Sequence, residues 1–81
     1  HISFGGKAVV EQTIDRAILY SYGTRVAEFI HVEEGLNMLK IYGLYSNTTI
    51  RHIREFCLQV GAGWLSSSEM SDIIEERGVY L

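Results

Sequence analysis

Four small polar residues, Ser46-Asn47-Thr48-Thr49, follow two tyrosines, Tyr42 and Tyr45, and lead into Arg51 and His52. Each of the four can accept a hydrogen bond from an open backbone N–H, which is what the first turn of a helix presents. A helix start also carries a partial positive charge, so it can hold a phosphate or a carboxylate. Arg51 would add a two-pronged donor to such an anion. The plainer reading is that Ser46 to Thr49 only cap the helix while Arg51 points into water. Tyr42, Tyr45, Asn47, Thr48, Arg51 and His52 are the binding candidates of this cluster, and the residues alone fit either reading.

Catalytic chemistry has less to stand on. The chain contains no phosphate-binding G-x-x-x-x-G-K-[ST] loop, no G-x-G-x-x-G turn, no H-E-x-x-H and no G-x-S-x-G. His1, His31 and His52 are too far apart to read as a metal site, and the expectation is a chain without cofactor or metal. Ser21 and His52 could be set beside Asp15 or Glu55 as a hydrolase, but nothing in their spacing requires it. Cys57 is the single cysteine, which rules out an internal disulfide and reads as a small buried hydrophobe. The expectation is that the protein is not an enzyme.

The elements that position these residues can be read from spacing. Residues 8–14 and 17–22 are rich in β-branched and aromatic side chains and read as strands around an Asp15-Arg16 turn, with a single amphipathic helix over 8–20 as the rival. Arg25 to Val32 reads as a strand with Ala27, Phe29 and His31 on one face and Val26, Glu28, Ile30 and Val32 on the other. Glu33-Glu34-Gly35 marks a turn, and Leu36 to Tyr45 is the return strand.

A helix over about 47–60 then carries Ile50, Ile53, Phe56, Cys57 and Val60 on one stripe and stops at Gly61 or Gly63. Ser66-x-x-Glu69 is a capping box for a second helix over about 66–77, with Leu65 and Met70 as its staple and Gly78 at its C-terminal cap beside Val79. The fold class is α+β: a small antiparallel meander of three or four strands followed by two helices, in one domain. On the otherwise polar face of the first helix, Leu58 stands out near Arg54. It either meets the second helix or Trp64, or marks a partner surface, and Arg54 and Leu58 join the binding candidates.

Eighty-one residues with 47% hydrophobic and 21% charged side chains suit one globular domain, not a disordered chain. A net charge of −3 disfavours a general nucleic-acid binder, though it leaves a local basic patch open. No apolar run approaches the roughly 18 residues of a membrane span, and no membrane partner is expected. His1 to Gly6 lacks a signal peptide's basic start and has no initiator methionine, which reads as a trimmed or tagged beginning.

Ser21-Tyr22-Gly23-Thr24-x-Val26-Ala27 and Tyr45-Ser46-Asn47-Thr48-Thr49-x-Arg51-His52-Ile53-x-Glu55-Phe56 resemble a family of small uncharacterised proteins of phages, plasmids and their bacterial hosts. Its members share an S-Y-x-T-x-V-A strand start and a Y-S-x-T-T-x-x-H-I helix start. The resemblance covers roughly residues 20–60. It implies a β-meander running into a helix and a mobile-element origin in the cytoplasm of a bacterial host; it brings no activity. The shared Tyr45, Ser46, Thr48, Thr49 and His52 are then either fold markers or site residues.

Three functions compete from here. One is a binding module that docks onto a protein, by analogy an inhibitor of host machinery such as a defence nuclease. A second is a nucleic-acid or nucleotide binder in which Arg25, Arg51, Arg54 and His52 meet phosphates while Tyr42 or Tyr45 stacks on bases. The third is a self-associating protein, a homodimer for instance, pairing through a sheet edge.

Overall fold

β-Branched and aromatic residues at alternating positions favour extended chain, and short turns fold each extended run back on the last. In the computed structural model, which describes residues 2–4 and 7–81, this yields β1 (Ile2–Phe4), β2 (Ala8–Gln12), β3 (Arg16–Ser21), β4 (Thr24–Glu33) and β5 (Leu36–Ile41). Helices α1 (Asn47–Val60) and α2 (Ser67–Glu76) follow, and β6 (Val79–Tyr80) returns to pair with β5. The six strands lie in chain order, each antiparallel to its neighbour. The α+β class and the order of strands before helices hold. The expected three or four strands are too few, because β1 is three residues long and β6 two, and segments so short show no alternation. The trimmed or tagged start concerns His1, Gly5 and Gly6 in part, which lie outside the described residues.

Residues 8–20 form strands, not a helix. The Thr13 N–H closes the β2–β3 turn on the Arg16 carbonyl at 2.8 Å, and Ile14 stands fully exposed at the tip. The helical rival would have buried Ile14; the expected strand over 8–14 ends at Gln12 for the same reason. Between β3 and β4, Tyr22 (φ 53°) and Gly23 (φ 79°) both take left-handed backbone. That pair makes a mirror-image two-residue turn, whose twist matches the strands it joins.

Pairing slips twice in β4, at Val26 against β3 and between His31 and Glu33 against β5, and the first slip shapes the molecule. Leu19 pairs with Ala27 but Tyr20 pairs with Arg25, so Val26 is an extra residue opposite the Leu19–Tyr20 step. Val26 and Ala27 are consequently both fully buried against the helices. The expected grouping of Val26 with Glu28 and Ile30 is overturned: one inserted residue moves everything on its N-terminal side to the other face. The expected return strand to Tyr45 is also too long. β5 stops at Ile41, and Tyr45 takes φ 51° as the Ser46 N–H turns back to the Leu44 carbonyl. Leu44 thereby packs on the core while Tyr45 is exposed.

Both helices cover one face of the sheet. Leu19, Val26, Ala27 and Leu39 from the strands meet Ile53, Phe56, Cys57 and Met70 from the helices. The ends of α1 are closed by the Ser46 side chain, which accepts from the Thr49 N–H, and by left-handed Gly61. The capping box of α2 is present in both directions, Glu69 N–H to Ser66 Oγ at 3.1 Å and Ser66 N–H to Glu69 Oε1 at 3.0 Å.

Its other end differs from expectation by one position. Arg77 (φ 62°), not Gly78, takes the left-handed cap, and the Gly78 N–H bonds the Ile73 carbonyl at 3.1 Å. Gly78 (φ 125°) is placed so close to β5 that a Cβ there would lie 3.2 Å from Lys40 Cγ and from Met38 Sδ. Among the described residues no helix is long and apolar enough to cross a membrane.

Candidate functional site

Ser21 and His52, one from each motif and 31 residues apart in sequence, meet in space. Ser21 closes β3 on the helix-covered face, opposite Ala8, and α1 packs over it. Its Oγ lies 2.8 Å from His52 Nδ1 and 3.2 Å from Thr49 Oγ1. The Ser46 hydroxyl reaches the same Thr49 oxygen at 3.2 Å. Ser21, Thr49 and His52 are all buried, His52 only 5% exposed. Burial, and secondarily the charge of Arg51, lowers the pKa of His52 below its ordinary value, so the ring is held neutral within this chain of hydroxyls. The pairing of Ser21 with His52 that the sequence only allowed is therefore real, and it is sealed inside the fold as a brace between β3 and α1.

What this brace displays is aromatic. Tyr22 follows Ser21, its ring centroid 6.0 Å from that of His52, and Tyr45 precedes Ser46. They are 58% and 68% exposed. Each has left-handed backbone, which costs a non-glycine residue about 1–2 kcal/mol. The Tyr45 ring lies across Gly43, where a Cβ would fall 2.7 Å from Tyr45 Cζ. Asn47 and Arg51 are exposed on the same first turns of α1, and Thr48 is half-buried. Tyr45, Asn47, Thr48, Arg51 and His52 thus gather at one end of the molecule. Tyr22 joins them, missed because a turn tyrosine carries no periodic signal.

The remaining candidates lie elsewhere. Arg54 clips α1 to the loop before α2, its Nε donating to the Leu65 carbonyl at 2.9 Å and its guanidinium resting 4.8 Å from the centre of the Trp64 ring. Leu58 is about half exposed on α1. Tyr42 is on the other side of the sheet, where it donates a short hydrogen bond to Glu28 Oε1.

Glu28 is the residue that sequence reasoning overlooked. It is 2% exposed on the face that no described helix covers, opposite Ile18 and Lys40. Arg16 reaches Glu28 Oε2 at 2.9 Å and Arg25 reaches Oε1 at 3.3 Å. Residues three apart on a regular strand point to opposite faces, and the extra Val26 is what turns Arg25 to the side of Glu28. Burial acts to raise the Glu28 carboxyl, but hydrogen bonds from Tyr42 and Arg16 and the Arg25 charge outweigh it and hold the pKa low. Burial, then the bond to Glu28, pushes Tyr42 up to about 12. Among the described residues, no group of three His, Cys, Asp or Glu side chains is placed to hold a metal ion.

A six-stranded antiparallel meander backed by two helices, with its β3–β4 hairpin motif braced to its first helix, defines a small two-layer α+β domain. The chain belongs to a family of unknown function (DUF8033), which it matches over residues 2–72. No curated protein and no solved structure matches it.

Proposed function

We propose that this domain is a non-catalytic binding module that docks onto another protein through the end formed by Tyr22, Tyr45, Asn47 and Arg51. The observation that carries the reading is the pair of exposed tyrosines held in left-handed backbone above one buried hydrogen-bonded brace. Tyrosine and arginine supply most of the energy at protein interfaces, and residues fixed before binding avoid about 0.5–1.5 kcal/mol each of ordering cost. Backbone strain of this kind is kept where surrounding structure enforces it, often at binding sites. The resemblance of the two motifs to phage and plasmid proteins supports a mobile-element origin. The partner is then a protein of the bacterial host's cytoplasm, and inhibition of host machinery such as a defence nuclease is the fitting role.

The test is co-purification from host lysate using the wild-type chain and a Tyr22→Asn/Tyr45→Asn variant, asparagine being tolerant of the left-handed region. A specific partner held by the wild type and lost by the variant, at unchanged melting temperature, is the expected result. Equal recovery by both, or a wild-type chain whose only partner by light scattering is itself, rejects the reading.

A second reading, nucleic-acid binding, has one observation in its favour. The helix-free face carries Arg16, Arg25 and Lys40 against Glu11 and Glu28, with Tyr20, Tyr42 and Tyr80 among them, and the Arg25 guanidinium lies 5.4 Å from the centre of the Tyr42 ring. The phosphate contacts expected from Arg51, Arg54 and His52 do not converge there, since Arg54 holds a loop and His52 is buried. A fluorescence titration with single-stranded oligonucleotides at two salt concentrations tests it. Affinity that is undetectable at low salt ends this reading.

A further inference from the structure

An apolar groove of about 280 Å³ runs along the far edge of the helix layer, away from the tyrosine end. Leu39 and Val79 of the sheet, Ala62 and Leu65 of the loop between the helices, and Leu81 line it, and Ile73 of α2 borders it. Cavities of about 150 Å³ already hold a benzene ring, so this one accepts a large aliphatic or aromatic side chain. Its rim is not neutral. Glu69 and Asp72, one turn apart on α2, line the same groove, and Glu75 and Glu76 follow them. The α2 segment Ser67–Glu76 contains four carboxylates and no basic residue.

We infer that this groove takes a short cationic segment of a partner protein, one apolar side chain seated between Leu65 and Val79 and a neighbouring lysine or arginine against Asp72. The charge of the rim selects the occupant. An apolar anchor alone would suit the groove floor, but an acidic or neutral segment would set its polar flanks against the Glu69 and Asp72 carboxylates, with no cation in the groove lining to offset them. The site stands apart from the tyrosine end, so the two can fail independently.

Two synthetic twelve-residue peptides with the same leucine spacing, one flanked by lysines and one by glutamates, are titrated into the isotope-labelled protein and followed by amide NMR. The lysine peptide is expected to shift Ala62, Leu65, Asp72, Ile73 and Leu81, and its affinity should fall as salt rises from about 0.05 to 0.3 M. Asp72→Lys should weaken it about threefold or more, whereas Glu75→Lys, the same charge change on α2 away from the groove lining, should do clearly less. Equal binding of both peptides overturns the proposal. So do equal effects of the two substitutions, shifts confined to the sheet face or to Tyr22 and Tyr45, or shifts that follow protein concentration and so report a second copy.

Discussion

At the scale of single residues, two buried titratable groups set the response to acid. His52 has a folded-state pKa below its ordinary 6.5 because burial and Arg51 disfavour its charge. Well above 6.5 both folded and unfolded chains carry it neutral. Below 6.5 the unfolded chain takes up a proton that the folded chain resists, so stability falls as pH drops from about 6.5. Ring NMR titration should place the His52 midpoint below 6.5; a midpoint above it would refute the assignment.

Glu28 acts in the same direction at lower pH. Its carboxylate is favoured in the fold, so its contribution is present above about 4.5 and lost on further acidification. Glu28→Gln should cost about 1–3 kcal/mol in urea unfolding. The larger loss typical of a wholly buried pair is not expected, because the Arg25 side chain is 54% exposed and can return to water. In the same variant Tyr42 should titrate below its present value of about 12, since one of the causes raising it has gone. An unmoved Tyr42 would mean that Glu28 is not its partner in solution.

At the scale of elements, the positions where one strand must meet another are the sensitive ones. Gly35 (φ 76°) turns β4 into β5 with open space, nothing within 4 Å, where an added methyl group would sit, so Gly35→Ala meets backbone strain alone, about 1 kcal/mol. Gly78→Ala meets strain and also Lys40 and Met38 at 3.2 Å, on the turn that delivers β6 to β5. It should therefore be the more damaging of the two, by about 1–2 kcal/mol. Thermal melts of both variants decide this, and equal losses would mean that the β5–β6 junction yields easily. Removing the α2 cap with Ser66→Ala should lie near 1 kcal/mol, the usual value for a lost side-chain cap.

Across the whole molecule, Cys57 reports whether the two layers separate. It is fully buried between sheet and helices, and burial pushes its thiol up to about 11, so the reactive thiolate is scarce. Labelling by a thiol reagent should be slow in the native protein and should rise with urea in step with the loss of far-ultraviolet circular dichroism. Labelling that runs ahead of that transition would show α1 lifting from the sheet on its own. Trp64 is mostly exposed and is the poorer reporter.

What the residues determine unaided are the helices, their starts and the fold class, because caps and amphipathic stripes act within one or two turns of chain. Ser46, Ser66 and Glu69 could be assigned from spacing alone, as could the stripe through Ile53, Phe56 and Cys57. Strand ends at Gln12 and Ile41, the inserted Val26 and the two-residue β6 could not, since each depends on which partner strand lies alongside. The candidate site divides in the same way. Tyr45, Asn47 and Arg51 were legible as a helix start, but only the packing of α1 on β3 joins Ser21 to His52, sets Tyr22 beside them and sends Tyr42 across the sheet to a buried Glu28. Hydrogen bonds between residues far apart in sequence have no local signature, and these are the contacts that tertiary structure alone decides.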